Sequence, residues 1–284
     1  MPRPCWWKHA LLAESPLFPA DIGSAARAVV ETPEPYAKLM LSRRLARAWR
    51  QGRLAHCCDA AMPDHFARPD SPELLPPNRM PKRGRAGSVR GRIALLHALA
   101  HIEYVAIDLA WDTVGRFGAA MPRAFVDDFV SVAADEAMHF ALLNRRLREM
   151  GSGYGALPAH AGLDEAAAQT AGDVAARLVV VPQILEARAL DVTPDTITRF
   201  TAAGDLRTAT VLQRILNDEI RHVAAGNRWF RWHCSGHAID SALTFQKLAK
   251  IHFRGQLKPP FNDSARGQAG LTLDYYSSLA ALPS

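Results

Sequence analysis

The sequence of 284 residues predicts an all-α protein built around a four-helix bundle. Twelve of its 19 prolines lie in residues 1–91, and only four lie in residues 92–234. Because proline breaks the interior of a helix, long helices are expected in the second of these segments. Apolar residues recur there at helical spacing, and no alternating run of valine and isoleucine predicts a sheet.

Four helices are predicted in this central segment, each roughly 26–29 residues or about 40 Å long. Pro122 suits a first turn and Gly151 a C-terminal stop, whereas Pro182 is expected to kink the third helix. A glycine-rich stretch ending at Pro158 predicts a long crossover between the second and third helices. The predicted bounds are Arg92 to Phe117, Pro122 to Met150, Leu163 to Leu190 and Leu206 to Cys234.

The flanking segments are predicted to be shorter and less regular. Helical spacing indicates two helices before the bundle and one after it, at Ser24 to Glu31, Tyr36 to Arg50 and Ala238 to Phe253. The proline-rich residues 63–91 are expected to lie extended on the surface, and the tail from Gly255 is expected to be mostly loop. The chain thus divides into an N-terminal helical and proline-rich part packed on the bundle (1–91), the bundle (92–234), and a C-terminal helix and tail (235–284).

Composition excludes several classes of protein. Apolar residues make up 49% and charged residues 22%, which is typical of a globular chain and not of a disordered one. The net charge of +6 permits an acidic partner without demanding one. We expect no membrane span and no signal peptide. The sequence has four cysteines and no Cys-x-x-Cys motif, which favours a reduced, cytoplasmic compartment; they are Cys5, Cys57, Cys58 and Cys234.

Two Glu-x-x-His motifs carry the chemistry of the bundle. They are Glu136 to His139 and Glu219 to His222, one on the second and one on the fourth predicted helix. Residues i and i+3 share one face of a helix, and here that face is otherwise apolar. A buried carboxylate is costly unless it is paired or binds a metal ion.

Two further glutamates, Glu103 and Glu186, lie on apolar faces of the first and third helices. Glu103 precedes Glu136 by 33 residues, and Glu186 precedes Glu219 by the same distance. Four carboxylates and two imidazoles that converge in a helical bundle are the ligand set of a dinuclear metal centre. Two divalent ions would neutralise the four carboxylates, which would otherwise repel one another.

Asp135 and Asp218 stand four residues before His139 and His222, where a carboxylate can accept the outer imidazole N–H. The spacing leaves open which histidine each aspartate orients. It also leaves open a metal-free bundle in which Arg188 and Arg221 pair with the carboxylates, although the six-residue pattern disfavours this.

Oxygen and imidazole ligands without cysteine favour two iron ions, with manganese or a mixed iron/manganese pair as the alternative.

Several segments resemble a known family. They are GRIALLHALAHIEYVAIDLAWD, VAADEAMHFALL, YGALPAHAGL, VPQILEARALDVTP and NDEIRHVAAGNRWF. The chain is similar to the ferritin-like di-iron carboxylate superfamily, and most similar to its uncharacterised family called domain of unknown function 455. The resemblance runs from about Tyr36 into the C-terminal tail. It implies a ferritin-like four-helix bundle and the metal ligands Glu103, Glu136, His139, Glu186, Glu219 and His222, but no substrate.

Three other features have weaker interpretations. His97 and His101 are spaced to chelate a metal, but they lie away from the face of Glu103, so a structural or surface role is favoured. Gln183 and Thr193 lie one turn before and two turns after Glu186; they line the site or serve packing and capping. A basic run could bind RNA phosphates, but no aromatic residues interleave it, so RNA is the less favoured partner; its residues are Arg79, Lys82, Arg83, Arg85, Arg90 and Arg92.

The favoured function is an oxidoreductase or oxygenase that uses dioxygen or peroxide on an unknown small-molecule substrate, with an unknown electron donor. We expect no catalytic residues beyond the metal ligands, and a monomer or homodimer. A metal-storage protein without turnover and an RNA-modifying hydroxylase are the alternatives.

Overall fold

The computed structural model describes residues 18–76, 79–80, 88–253 and 255–280, and the all-α prediction is confirmed. Short 3-10 turns follow two of the helices, at Gly118–Ala120 and Ser277–Leu279. The α-helices in chain order are α1 (Ile22–Val30), α2 (Pro35–Arg50), α3 (Val89–Phe117), α4 (Arg123–Glu149), α5 (Gly162–Gln169), α6 (Val174–Val180), α7 (Ala187–Ala202), α8 (Leu206–Gly236), α9 (Ser241–His252), α10 (Asp263–Gln268) and α11 (Leu273–Tyr276).

Four long helical rods form the centre of the protein. They are α3, α4, the continuous rod from α6 to α7, and α8. Helix α3 packs along α4 and α7 packs along α8, while α4 and α6 also contact α8. The N-cap of α3 is Ser88, whose side chain accepts from the amide of Gly91. Fully buried aromatic side chains fill the spaces between rods and flanking helices, among them Trp49, Trp111, Phe125, Phe140 and Phe230.

The third rod differs from its predicted bounds of Leu163 to Leu190. Residues 162–169 form the separate helix α5, and the rod begins at Val174 because Asp173 caps it by accepting from the amides of Ala175 and Ala176. The rod then runs through to Ala202, so Pro194 lies inside α7.

Pro194 is tolerated because another residue replaces the hydrogen bond that it removes. A proline in a helix leaves the carbonyl four residues earlier without its donor, which here is that of Leu190. The Asn262 side chain donates to that oxygen at 3.1 Å.

Where a kink is predicted at Pro182, the structure has a turn of π-helix, Val181–Glu186, between α6 and α7. Pro182 leaves the Leu178 carbonyl without its helical donor, and the Gln183 side-chain amide donates to it at 3.0 Å. A Cβ at position 226 would lie 2.3 Å from the Pro182 ring, so Gly226 lets α8 approach this turn closely. The π-helical turn therefore interrupts the regular α-helix of the rod immediately before α7.

The N-terminal part lies against the first two rods. Helix α1 packs on α3 and α2 packs on α4. Lys38 of α2 donates to both carboxylate oxygens of Asp108 on α3, at 2.5 and 2.6 Å, and both side chains are fully buried. Arg68 also pairs with Asp108 and reaches on to Asp164, which ties the extended segment to the start of α5.

The crossover after α4 is held by the two histidines for which a structural role is favoured. The His97 ring accepts from the amides of Gly155 and Leu157, and the His101 ring bonds the Tyr154 hydroxyl. Strand β1 (Leu74–Leu75) pairs in parallel with strand β2 (Ala159–His160) of the crossover, with Leu74 opposite Ala159. This structural role of the histidines is confirmed.

The C-terminal tail is more ordered than predicted. Helix α9 begins at Ser241, where Asp240 caps it, rather than at Ala238. The expectation of a mostly loop tail is wrong for α10 and α11, because buried polar contacts order them. The Arg266 guanidinium binds both carboxylate oxygens of Asp191 on α7, at 2.8 and 2.7 Å.

Helix α3 with its following turn, Val89–Ala120, is long and apolar enough to cross a membrane by length and composition alone. However, 67% of its most apolar window is buried inside the protein. That burial is the behaviour of the core helix of a soluble protein.

Candidate metal centre

The four rods bring together the six residues singled out by their spacing. Glu103 lies on α3, one Glu-x-x-His pair lies on α4, and the other lies on α8. Glu186 is the last residue of the π-helical turn, so the Pro182 irregularity sets its position. Five of the six are buried, and Glu186 is half-buried. We call them the Glu/His cluster: Glu103, Glu136, His139, Glu186, Glu219 and His222.

Two carboxylates lie between the two imidazoles. Glu136 places Oε2 3.5 Å from Nδ1 of His139 and Oε1 2.9 Å from Nδ1 of His222. Glu219 places Oε1 3.7 Å from Nδ1 of His139 and Oε2 3.7 Å from Nδ1 of His222. Each carboxylate thus offers one oxygen to the His139 half of the cluster and one to the His222 half. Both imidazoles turn Nδ1 inward.

The other two carboxylates each lie near one imidazole, Glu103 near His139 and Glu186 near His222. Glu103 Oε2 lies 3.1 Å from Nδ1 of His139. The potential ligand atoms fall into two groups within which all lie within 4.8 Å of one another. One group is Glu103, Glu136, His139 and Glu219, and the other is Glu186, Glu219 and His222. This buried cluster can hold a metal ion.

Polar atoms left without partners support that conclusion. Both oxygens of Glu136 and Nδ1 of His222 are buried without a hydrogen bond, because their short contact does not have hydrogen-bond geometry. A buried polar atom without a partner is costly, and a cation would satisfy all three atoms.

The two arginines that a metal-free ion-pair bundle would pair with the clustered glutamates bind other groups. Arg221 pairs with Asp135 and Asp218, on the outer side of the cluster. Arg188 donates to the Lys258 carbonyl at 2.6 Å. Among the described residues, the ion-pair partners of the four clustered glutamates are the two histidines and no lysine or arginine.

The electrostatics of the cluster show how it is balanced by protons alone. Burial and the neighbouring Glu136 raise the pKa of Glu103, and burial and Glu219 raise the pKa of Glu186. Burial opposes a charged imidazole, but the hydrogen bond to Glu103 and the nearby carboxylate of Glu136 raise the pKa of His139 to about 11. The carboxylates therefore hold protons on themselves and on the imidazoles unless another cation replaces them.

The contacts of the outer imidazole nitrogens show which histidine each aspartate orients. Nε2 of His139 lies 3.2 Å from Asp218 Oδ2, and Nε2 of His222 lies 3.4 Å from Asp135 Oδ2. Each aspartate therefore orients the histidine of the other helix, and each imidazole presents Nδ1 to the cluster. Arg214 and Arg221 hold Asp218 from the solvent side at 2.8 and 2.7 Å.

An apolar chamber adjoins the opposite side of the cluster. This inner chamber has a volume of about 140 Å³ and is lined by all four clustered glutamates. Thr193 lines it as well, whereas Gln183 is outside its wall and bonds the Leu178 carbonyl instead. The remaining wall is almost entirely aliphatic, with Leu99, Ile102, Ala106, Leu109, Leu163, Val181, Leu185, Ala189, Val192, Leu212 and Ile215, and with Arg188 at its edge.

Comparison with known proteins identifies the chain. Residues 31–277 match the family described as Protein of unknown function (DUF455). The chain belongs to this family. A relative from Haemophilus influenzae, named Uncharacterized protein, is 40% identical over 212 residues, which cover 72% of this chain and 73% of that protein. No solved structure is significantly similar to the chain.

Membership of DUF455 brings no activity with it, so the function rests on the residues. Of the predicted basic run, Lys82, Arg83 and Arg85 lie outside the described residues. A basic surface that we did not predict lies on α2, where arginines line a groove of about 890 Å³ that includes Asp135. These residues are Arg43, Arg44, Arg47 and Arg50, whose spacing along a single helix could have revealed them.

Proposed function

We propose that this DUF455 protein is a dinuclear metal oxidoreductase or oxygenase of the ferritin-like type, holding two iron ions. The observation that carries the proposal is the bridging position of Glu136 and Glu219, each with one oxygen toward each imidazole. Helical bundles bind two metal ions with one glutamate from each of two helices and a Glu-x-x-His pair from each of the other two. Manganese or a mixed iron/manganese pair is the alternative metal.

The residues present fit such a pair of ions. Glu103 with His139 would hold one ion and Glu186 with His222 the other, while Glu136 and Glu219 join the two halves. Four carboxylates neutralise two divalent ions. The ions would offset both the burial and the neighbouring negative charge that raise the pKa of Glu103 and Glu186.

Iron bound here would supply one-electron and dioxygen or peroxide chemistry. The chain's own contribution is positional, and we propose no catalytic residue beyond the ligands. Asp135 and Asp218 hold the imidazoles in one tautomer with Nδ1 inward, and the aliphatic wall keeps bulk water from the carboxylates.

The overall reaction that we propose is insertion of oxygen into a substrate C–H bond. One oxygen atom of dioxygen enters the substrate as a hydroxyl and the other leaves as water, with two electrons and two protons from an electron-donor protein. The substrate is a small molecule, and the protein is proposed to act in the cytoplasm as a monomer or homodimer. The described cysteines Cys57, Cys58 and Cys234 are free, which supports a reducing compartment.

Dioxygen uptake tests this function directly. Iron-loaded protein given a chemical reductant is expected to consume dioxygen, and Glu219→Gln is expected to reduce the rate to that of buffer. Asp195→Asn, which changes an exposed carboxylate on α7, is the control and keeps the native rate. Equal uptake by the native protein and Glu219→Gln contradicts the proposal.

Molecular size distinguishes the proposed enzyme from the alternative, a metal-storage protein without turnover. A cage for storage requires a large assembly, so gel filtration is expected to give the mass of one or two chains. A particle of about 24 chains favours storage instead.

An RNA-modifying hydroxylase is the second candidate, and the arginine groove on α2 is the observation that favours it. Four arginines along one groove can track a phosphate backbone. Nucleoside analysis of RNA from a deletion strain tests this candidate. Loss of a hydroxylated nucleoside supports it, and an unchanged nucleoside profile removes it.

A further inference from the structure

The inner chamber has a larger neighbour. A second cavity of about 520 Å³, which we call the outer cavity, lies between α3, the crossover, α5 and the end of α9. The two cavities share the side chains of Ile102, Leu163, Leu185 and Arg188. The route from the outer cavity to the Glu/His cluster is therefore one layer of side chains thick. Ile102 in that layer is 45% exposed, so it can move without disturbing the core.

The wall of the inner chamber selects an apolar guest. Apart from the clustered glutamates, Thr193 and Arg188, the described lining is aliphatic. A polar group placed there would lose its water without gaining a hydrogen bond, which is costly. An apolar cavity of about 150 Å³ takes up a hydrocarbon in preference to water.

Arg188 orients that guest. Among the described lining residues of the inner chamber, the one lysine or arginine is Arg188 at its edge, so an anionic group is expected to stay at that boundary, on the side of the outer cavity. Arg188 stands at the boundary, and its Nη1 is fixed by the Lys258 carbonyl at 2.6 Å. Arg188 also pairs with Asp191 at 3.5 Å, but Arg266 binds both oxygens of the same carboxylate. One carboxylate therefore faces two guanidinium groups, and positive charge remains for another anion. The described acid in the outer wall is Glu165, which is exposed at the rim.

We propose that the two cavities form one binding site for a slender amphiphile. The end of its alkyl chain lies in the inner chamber, and the rest of the chain lies in the outer cavity with the anionic group at Arg188. The substrate class is then a chain carboxylate or a similar anionic hydrocarbon. The proposed reaction of this substrate rests on the proposed function, but its binding does not. The combined volume of the inner chamber and the outer cavity lies within the range of about 300–1,000 Å³ that small-molecule sites occupy.

Calorimetric titration of the full-length protein with straight-chain carboxylates tests the binding. The affinity is expected to rise about fourfold per added methylene from hexanoate to dodecanoate, which corresponds to about 0.8 kcal/mol for each buried methylene. Affinities that do not depend on chain length contradict the proposal.

Two substitutions divide the site into its parts. Ala189→Phe fills the inner chamber and is expected to weaken dodecanoate binding at least tenfold, whereas Ala202→Phe, at an exposed position on the same helix, leaves it unchanged. Arg188→Gln is expected to weaken dodecanoate about tenfold and to leave 1-dodecanol unchanged. Equal losses for the acid and the alcohol overturn the role of Arg188, and equal affinities of Ala189→Phe and native protein overturn the role of the chamber.

A second measurement decides the matter even if Ala189→Phe fails to fold. In crystals of native protein soaked with 12-bromododecanoate, anomalous scattering is expected to place bromine between Leu99 and Ala189, with the carboxylate at Arg188. Bromine outside the inner chamber overturns the proposal. Metal content is measured on the same preparation. Metal without carboxylate binding leaves the proposed function standing and ends this inference, and carboxylate binding without metal does the reverse.

Discussion

Two buried groups of charged residues in this protein are neutralised in opposite ways. Around Asp108, Lys38 and Arg68 supply fixed positive charge from the same chain. In the Glu/His cluster, four glutamates share two histidines and have no lysine or arginine partner among the described residues.

The difference shows that the fold has the means to neutralise buried acids and does not use them at the cluster. Asp112 is paired with Arg177 at 2.6 Å and Asp191 with Arg266 at 2.7 Å, both in the interior. A site whose carboxylates have no lysine or arginine partner among the described residues, and in which Glu136 lacks any hydrogen bond, is suited to a cation from outside.

The largest expected effect comes from breaking the ion-pair group in which Lys38 and Arg68 neutralise Asp108. Lys38→Met leaves Asp108 with Arg68 alone, and removing one partner of a buried pair costs about 3–5 kcal/mol. Urea unfolding should therefore show a large fall in the free energy of unfolding, while the metal content per folded chain stays unchanged. Arg27→Met, which breaks the exposed pair with Glu31, is the matched control and should cost less than about 1 kcal/mol. Equal costs for the two variants contradict the comparison.

The second-largest expected effect is a loss of metal affinity in the Glu/His cluster, with the fold left intact. Asp218→Asn removes the carboxylate that fixes the His139 ring, and loss of such an outer partner weakens metal binding about 10- to 100-fold. Competition with a chelating dye measures the change in affinity. Asp195→Asn serves as the control, since its carboxylate is exposed. An unchanged affinity in Asp218→Asn would remove the outer aspartates from the account.

A smaller effect is the pH dependence of the metal-free protein. In the folded state the carboxylates raise the pKa of His139 to about 11, against about 6.5 in the unfolded chain, so the folded state holds the proton more tightly. That contribution is complete below about pH 6.5 and is lost as the pH rises toward 11. The raised pKa values of Glu103 and Glu186 act in the same direction.

The free energy of unfolding without metal should therefore fall from pH 6.5 to 9 by about 1.4 kcal/mol per pH unit for each retained proton. Metal affinity should rise over the same range, because binding displaces those protons. His139→Gln is expected to flatten the first slope. A metal-free protein that gains stability as the pH rises would have the opposite sign and would contradict this electrostatic account.

The smallest effect has the opposite sign from that of Lys38→Met. Burial and Glu219 raise the pKa of Glu186, so at neutral pH this carboxylate lowers the stability of the metal-free protein. Glu186→Gln should stabilise the metal-free protein by less than about 1 kcal/mol, since the native residue can already escape by taking up a proton. Thermal unfolding against Glu73→Gln, an exposed glutamate, measures it. Marked destabilisation by Glu186→Gln would show that this glutamate has a structural partner.

The sequence was sufficient where the signal was local and periodic. Proline counts and helical spacing predict the long helices of the centre, and the i, i+3 spacing predicts that Glu136 and His139 point together. The equal separations of 33 residues predict that Glu103 and Glu186 join them, and the structure brings all six residues to one place.

What the sequence could not provide depends on contacts between distant segments. Helical spacing did not reveal that Pro194 lies within a helix, because its missing bond is replaced by Asn262, 68 residues later. Nor could it decide the crossed pairing of Asp135 with His222, which depends on how α4 and α8 face each other. The inner chamber likewise arises only when α3, α7 and α8 pack together.

The most direct test of the central claim is the metal content of the protein. Protein purified from cells supplied with iron and manganese should carry about two ions per chain, as expected for four carboxylates and two histidines in a helical bundle. Anomalous scattering at the two absorption edges should place both ions between Glu136 and Glu219, and the double variant Glu136→Ala, Glu219→Ala should lose them. Native protein with metal no higher than background, and no anomalous density in the cluster, would contradict the account.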